Sequence, residues 1–281
     1  MAALLALSFL SMRPAWADQG LEKQIKFDYL EKVLTLRHFY SGERLRFRSD
    51  GTLQKDAPVG PWTLDGQIQV EDVHLHGAQL VIKGRRIHRV FDAHGPQDQL
   101  ATLKDSHEKQ QKDLEKALRH LEVEIEIDLP SEKPDERDVS SAIHSVFLTS
   151  SDSMMDIVPA YWQAYFAKQE GRPRTKPEIT KGPVYLDKSV RGGVSAPRAI
   201  YEPDPDYSEQ ARKAKYQGTI VLSLIVDSSG APTDVQIIRP LGLGLDEKAV
   251  NAVNTWKFRP AEKDGEPVPV SINVEVTFHL Y

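Results

Sequence analysis

The chain of 281 residues contains no cysteine. Disulfides, thiolate nucleophiles and thiolate metal ligands are therefore excluded, although the absence of cysteine is compatible with any cellular compartment. Positive charge is not in excess, since 36 basic residues stand against 41 acidic ones and the formal net charge is −5. A nucleic-acid partner is not expected, because such partners require a basic surface.

Long hydrophobic runs are also missing, and no stretch approaches the length that spans a bilayer. The apolar run 2–12 has the length of a signal-peptide core and is followed by Ala-Trp-Ala ending at Ala17, a small-x-small cleavage pattern. We therefore expect residues 1–17 to be a signal peptide and membrane association to involve only this segment. No Lys or Arg precedes the run, so an uncleaved leader or an upstream start codon is one alternative, and a hydrophobic N-terminal tail of a cytoplasmic protein is another.

Familiar catalytic motifs are absent as well. There is no Gly-x-Ser-x-Gly elbow, no Gly-x-x-x-x-Gly-Lys phosphate loop and no His-Glu-x-x-His. His74 and His76 would share one face of a strand and are the best metal candidate, but a solvent-exposed strand face is the favoured interpretation. The same interpretation applies to an alternating row of carboxylates, namely Glu122, Glu124, Glu126 and Asp128. We predict no catalytic residue, no metal site and no cofactor.

Residues 18–167 predict an N-terminal β-rich domain of unknown role, called here the N-terminal unit. Short strand candidates between Gly-containing turns suggest an antiparallel sheet or small barrel with helices. The strand candidates are 45–48, 68–75, 80–83, 87–91 and 123–129. A charged amphipathic helix over 98–121 and two short helices within 140–166 are expected besides them. Prolines then punctuate 168–200, which predicts a linker.

The remaining segment, 201–281, predicts a compact α+β domain. Residues 219–239 form a hairpin candidate, with turn chemistry between Asp227 and Gly230. Apolar residues at helical spacing, Leu245, Ala249, Val253 and Trp256, predict a helix whose stripe includes a buried tryptophan. From Val268 onwards every second residue is apolar, which indicates a half-buried strand. The fold class is therefore α+β, with a three-stranded antiparallel sheet and helices on one face.

Four stretches of this segment occur in a recognisable order. They read Tyr-Ser-Glu-Gln-Ala-Arg at 207–212, Gln-Gly-Thr-Ile-Val-Leu-Ser-Leu-Ile-Val-Asp at 217–227, Leu-Gly-Leu-Asp-Glu-Lys-Ala-Val at 243–250 and Trp-Lys-Phe-Arg-Pro-Ala at 256–261. The ordered set resembles the C-terminal domain of the TonB family, the periplasmic partner of outer-membrane transporters. The resemblance implies a protein-binding module and a periplasmic location in a Gram-negative envelope.

The resemblance also implies a mode of binding, in which an extended segment of a transporter or other envelope protein adds as a strand to the sheet edge. The matching partner-binding residues are Arg198 and Tyr207 before the first helix, and Ile272, Asn273, Val274, Glu275, Val276 and Thr277 in the last strand. An open edge at this strand would act as a template for pairing.

Two further motifs lie in the N-terminal unit. They are Leu-Arg-x-Phe-Tyr at 36–40 and Gly-Pro-Trp-Thr-Leu-Asp-Gly at 60–66. Together with the C-terminal segment they resemble a group of exported TonB-like proteins, a resemblance that implies no biochemical activity.

The sequence departs from the TonB pattern in lacking an N-terminal membrane anchor and a long Glu-Pro and Lys-Pro spacer, and in having Tyr207-Ser208 for the usual Tyr-Pro. We therefore expect an exported, non-catalytic binding protein that does not transmit force. A true energy transducer whose anchor is missing from this sequence is one alternative. A ligand-binding or enzymatic N-terminal β domain is the other, and the partner's identity and the oligomeric state stay open.

Overall fold

The computed structural model describes residues 15–103, 120–174, 183–186 and 193–280. The helices are α1 (Ala15–Tyr29), α2 (Trp62–Asp65), α3 (Gln99–Leu103), α4 (Glu136–Val146), α5 (Gln163–Glu170), α6 (Glu209–Lys213) and α7 (Leu245–Val253). Two 3₁₀ turns, Met154–Asp156 and Ala160–Trp162, lead into α5. Most of the predicted leader, most of the helix predicted over 98–121 and parts of the predicted linker lie outside the described residues.

The strands of the N-terminal unit are β1 (Val33–Thr35), β2 (Arg44–Phe47), β3 (Gln67–His76), β4 (Gln79–Arg86), β5 (Arg89–Asp92), β6 (Gly95–Asp98) and β7 (Glu122–Asp128). Five of them form a sheet in the order β1-β3-β4-β7-β2. The pairs are antiparallel as predicted, except that β2 lies parallel to β7. Parallel neighbours need a long crossover, and here the chain between β2 and β7 supplies it by way of β3 and β4.

Two helices were predicted within 140–166, and the structure has α4 and α5 there with different bounds: α4 begins at Glu136, α5 ends at Glu170, and residues 147–162 separate them. Helix α4 begins with a capping box, in which Asp135 accepts from the backbone N–H of Asp138 and the Asp138 carboxylate accepts from that of Asp135. Its residues Val139, Ile143 and Val146 are buried at helical spacing and pack in the same core as Ile125 of β7.

The strands after α5 are β8 (Tyr185–Leu186), β9 (Arg198–Tyr201), β10 (Gly218–Val226), β11 (Pro232–Arg239), β12 (Lys257–Arg259), β13 (Ala261–Lys263), β14 (Glu266–Val268) and β15 (Val270–Phe278). The C-terminal sheet has the order β11-β10-β15-β8. Its first three strands form the predicted antiparallel sheet. A fourth strand, β8, is added in parallel to β15.

Helix α7 buries the predicted stripe of Leu245, Ala249 and Val253. The prediction that Trp256 continues this stripe is wrong, because the helix ends at Val253 and the Trp256 ring is only half-buried. Its indole N–H donates to the carbonyl of Pro203 at 3.2 Å. The Trp256 ring therefore packs at the edge of the core, with its N–H bonded to the segment around Pro203, and does not lie at the centre of the core.

The core of the C-terminal sheet instead continues into the N-terminal unit. Trp162 is fully buried, and its ring lies 5.3 Å from that of Trp62 and 6.1 Å from that of Phe166. These aromatic side chains belong to the same buried cluster as Ile237 of β11 and Val250 of α7. The two parts of the chain therefore share one hydrophobic core.

Truncation of Trp162 and of Trp256 should distinguish this shared core from the predicted core, in which Trp256 is the buried tryptophan. Trp162→Ala should lower the free energy of unfolding by about 3–5 kcal/mol, the usual loss for a buried tryptophan. Trp256→Ala should cost less, because its ring is half-exposed before truncation. Urea denaturation of the full chain measures both losses, and an equal or larger loss for Trp256→Ala would contradict the shared core.

Candidate protein-binding edge

Strand β15 has one side fully paired and one side largely open. Toward β10 it pairs over its whole length, from Val270 opposite Val226 to Phe278 opposite Gly218. The other side, called here the outer edge, pairs with β8 only at Val270 and Ser271. Within the described residues, 272–278 has no strand partner on the outer edge.

The direction of the backbone groups along β15 follows from its pairing with β8. The N–H of Tyr185 donates to the carbonyl of Pro269 at 3.0 Å, so the backbone groups of residue 269 point outward. Because this direction alternates along a strand, the N–H and C=O groups of Asn273, Glu275 and Thr277 also point to the outer edge. Those of the residues between them point to β10.

The side chains of β15 alternate as predicted. Val276 and Phe278 are buried, and Ile272 and Val274 pack against the same core. Asn273, Glu275 and Thr277 are exposed. The six predicted strand residues therefore form one continuous edge with an apolar face and a polar face, and three of them offer their backbone groups outward.

The opposite edge of the C-terminal sheet is strand β11, and it is shielded by the N-terminal unit. Helix α5 and the turn Ala160–Trp162 pack against β11. The N–H of Ala164 donates to the side-chain oxygen of Gln236 at 3.2 Å, and both Nη atoms of Arg174 pair with the Asp234 carboxylate at 2.6 Å. The β10–β11 register also shifts twice, and such irregularities weaken an edge as a pairing template.

The predicted residue Tyr207 lies at the C-terminal end of β15. Its ring meets that of Phe278 edge-on at 5.4 Å, and its hydroxyl donates to the carbonyl of Tyr216 at 3.2 Å. The following Ser208 caps α6 by accepting from the N–H of Ala211, and its hydroxyl donates to the carbonyl of Leu243. A proline in place of Ser208 could not make either side-chain bond.

The predicted residue Arg198 lies elsewhere. It opens β9, which pairs with β12 in a separate two-stranded sheet, with Arg198 opposite Arg259. All four residues of β9 are exposed. The strand partner of Arg198 is therefore β12 and not β15, and the structure brings the other seven of the eight predicted residues to β15 or its end.

Tyr185, which no sequence pattern singled out, holds β8 against the start of the outer edge. Its side chain packs against a small buried cluster that contains Val270, and the Lys263 ammonium lies 5.0 Å from the ring centroid. The same ammonium donates to the Tyr185 hydroxyl at 3.3 Å. Strand β8 has only two residues and lies in a proline-rich segment, so it has no hydrophobic periodicity that could predict it. It is recognised only by its pairing with β15 in the structure.

Two neighbouring carboxylates at the start of α7 are unusual in having no ion-pair partner within the described residues. Asp246 is fully buried and accepts from the N–H groups of Leu241 and Gly242, each at 2.8 Å. Burial, followed by the charge of Glu247, raises the pKa of Asp246 to about 7. Burial also raises the pKa of Glu247. The hydrogen bond from the indole of Trp162 lowers this pKa, but by less than burial raises it.

The candidate metal ligands His74 and His76 lie on one strand face, with stacked rings 5.8 Å apart. His74 contacts the carboxylate of Asp72 at 2.8 Å, and no group of three or more possible ligands occurs within the described residues. The row of carboxylates on β7 was expected to face solvent, and this is only partly correct. Glu126 is buried, and its carboxylate pairs with the guanidinium of Arg46 at 2.8 Å.

Comparisons with known proteins bear on the C-terminal segment. Residues 203–280 match the family model described as Gram-negative bacterial TonB protein C-terminal. Protein TonB of Vibrio cholerae serotype O1 is 33% identical over 103 residues, which are 36% of this chain and 39% of that protein. Protein tonB2 of Pseudomonas aeruginosa is 32% identical over 82 residues, which are 29% of this chain and 30% of that protein.

These matches identify residues 203–280 as a TonB C-terminal domain, as the ordered motifs of this segment predicted. The chain spans well under half the length of the curated relatives that it matches. The solution NMR structure of the Pseudomonas aeruginosa TonB CTD aligns over 30% of this chain and 86% of that chain, with 18% identity and a TM-score of 0.26. No helix within the described residues is both long and apolar enough to cross a membrane.

The pKa of Asp246 predicts a pH-dependent contribution to stability. Because the pKa of this carboxyl is higher in the folded chain than its ordinary 3.8, its contribution is complete below about pH 4 and is lost as the pH rises to about 7. Asp246→Asn cannot titrate, so the stability difference between wild type and variant should shrink between pH 5 and pH 8 in urea denaturation.

Asp227→Asn is the matched control for this experiment. Side-chain and backbone hydrogen bonds at the Asp227 turn outweigh burial and hold the pKa of that carboxyl below 3.8, so its contribution should be constant above pH 5. A difference for Asp246→Asn that stays constant over the same range would show that Asp246 ionises alike in the folded and unfolded chain.

Proposed function

We propose that the outer edge of β15 binds an extended segment of an outer-membrane transporter, or of another envelope protein, by strand addition. The observation that carries this proposal is the row of outward backbone groups at Asn273, Glu275 and Thr277, which have no strand partner within the described residues. Main-chain hydrogen bonds to these groups would supply affinity, and alternate side chains would supply selectivity. The match to the TonB C-terminal domain supports the class of partner.

The incoming strand would run parallel to β15. This orientation is supported by β8, which pairs in parallel with the first two residues of the same edge. Alternate side chains of the partner would then lie beside Ile272 and Val274 on one face and beside Asn273 and Glu275 on the other. An apolar residue on the first face and a polar residue on the second would fit best.

We further propose that the protein acts in the periplasm after export, with a leader at 1–17, the N-terminal unit at 18–167, a linker at 168–200 and the binding domain at 201–281. The N-terminal unit would have a defined part in binding, since α5 packs against β11 and leaves β15 as the accessible edge. The mature N-terminus, determined by mass spectrometry of the native protein, tests the export step.

Single proline substitutions along β15 test strand addition. Asn273→Pro and Glu275→Pro remove an outward N–H, so they should abolish binding while the far-ultraviolet circular dichroism and the stability stay close to wild type. Ile272→Pro and Val274→Pro remove an inward N–H that bonds to β10, so they should lower the free energy of unfolding by at least about 2 kcal/mol. Binding is measured as recovery of outer-membrane transporters from envelope extracts.

Asn273→Ala and Glu275→Ala are the matched controls, because they change the same side chains and keep both N–H groups. These variants should retain most of the binding. If Asn273→Pro and Glu275→Pro are folded and bind as well as the alanine variants, the outer edge of β15 does not bind by strand addition.

A further inference from the structure

Strand β8 comes from the proline-rich stretch before the TonB C-terminal domain, yet it pairs with the strand that carries the outer edge. The pairing is parallel and places Tyr185 opposite Val270 and Leu186 opposite Ser271. The N–H of Tyr185 donates to the carbonyl of Pro269 at 3.0 Å. The chain therefore already adds a strand of its own to the edge that we assign to a partner, in the orientation that we expect of the partner.

Strand β8 uses part of the backbone ladder that the outer edge offers. Because the direction of the backbone groups alternates along a strand, the residues that point outward are 269, 271, 273, 275 and 277. Strand β8 lies beside the first two, whereas the last three have no strand partner within the described residues. A partner that displaces β8 can therefore pair with all five of these residues instead of three. The longer ladder favours displacement, because main-chain hydrogen bonds supply the affinity in strand addition.

An aromatic side chain anchors β8 at the start of the outer edge. Tyr185 packs against a small buried cluster, which consists of Val194, Ala261 and Val270. The Lys263 ammonium lies 5.0 Å from the centroid of the Tyr185 ring and donates to its hydroxyl at 3.3 Å. Apolar side chains and an ammonium near a ring face both favour an aromatic residue. The cluster and Lys263 thus form a place for one ring, called here the aromatic site.

Strand β8 can leave the edge without disturbing the rest of the sheet. It has two residues, whereas β15 has nine, and its second residue, Leu186, is 63% exposed. The chain is fixed elsewhere on both sides of β8, because Arg174 pairs with Asp234 of β11 and Val194 bridges to Lys263 of β13. These two attachments keep a released β8 close to the edge. A tethered strand of this kind competes with a free one through its high local concentration.

We propose that β8 is an internal competitor for the outer edge, and that the partner displaces it with a strand that carries an aromatic residue opposite Val270. In the free chain the ring of Tyr185 fills the aromatic site, and in the complex the partner's aromatic ring replaces it beside Lys263. The apparent affinity for the partner is lowered in proportion to the fraction of the chain in which β8 is released. This inference rests on the strand addition proposed above, and it adds a preferred residue type and an autoinhibitory strand.

The test uses the full chain and a synthetic peptide with the sequence Gly-Pro-Val-Tyr-Leu-Asp-Lys of residues 182–188. Binding is measured in ¹H–¹⁵N NMR titrations from the amide resonance of Ser271, which points to β8. Tyr185→Ala removes the ring from the aromatic site, so this variant should bind the peptide about fivefold or more tightly than wild type. A peptide with alanine in place of its tyrosine should bind Tyr185→Ala about fivefold or more weakly than the original peptide does.

Leu186→Ala is the matched control, because it truncates the exposed neighbour on the same strand, and it should bind the peptide like wild type. Equal binding by wild type and folded Tyr185→Ala overturns the proposal, and so does the absence of a saturable shift or equal binding of the alanine peptide. If Tyr185→Ala does not fold, the comparison of the two peptides on the wild-type chain decides alone.

Recovery of outer-membrane transporters from envelope extracts is a separate measurement that distinguishes this inference from the proposed function. Tyr185→Ala should recover more transporter than wild type at the same protein concentration. Equal recovery by both chains contradicts displacement of β8 and leaves strand addition standing. Peptide binding as expected, without any recovery of a transporter, contradicts the proposed class of partner and supports β8 as the internal competitor.

Discussion

The arrangement of this protein depends on the side chain of Trp162. Its ring is fully buried among Trp62, Phe91, Tyr165 and Phe166, all from the part of the chain before residue 167. Its indole N–H donates to Glu247 on α7, inside the TonB C-terminal domain. One residue thus joins the aromatic core of the N-terminal unit to the helix of the binding domain by packing and by a hydrogen bond to a carboxylate.

The orientation of the C-terminal sheet follows from this junction. With Trp162 in place, α5 packs against β11, and β15 stays on the side of the sheet away from the N-terminal unit. A sheet with two accessible edges could pair at either one and would risk uncontrolled association. Here α5 packs against β11 at one edge, and β8 covers the first two residues of β15 at the other. The part of the outer edge without a strand partner among the described residues is therefore short, and it comprises residues 272–278.

Much of β15 could be predicted from the sequence, because it follows from a local pattern. Alternation over Val270–Phe278 specifies which side chains face the core. The turn at Asp264 and Gly265 instead joins β13 to β14, so the alternation predicted from Val268 begins two residues before β15 does. The pairing of β2 with β7 could not be predicted, since the register of distant strands leaves no local signal. Trp256 was misplaced for a related reason. Apolar residues at helical spacing indicate which face of a helix is buried, but they do not show where the helix ends. Because α7 ends at Val253, Trp256 is not on its buried face. The tryptophan at the centre of the core is Trp162, from another part of the chain.

Residue-resolved amide hydrogen exchange of the full chain tests the open outer edge most directly. Strand pairing protects an N–H that points to a partner strand, whereas an N–H at an open edge exchanges with solvent. The amides of Asn273, Glu275 and Thr277 should exchange fast, and those of Ile272, Val274 and Val276, which face β10, should exchange slowly. Equal protection of both sets would show that the outer edge is already paired and would contradict the account.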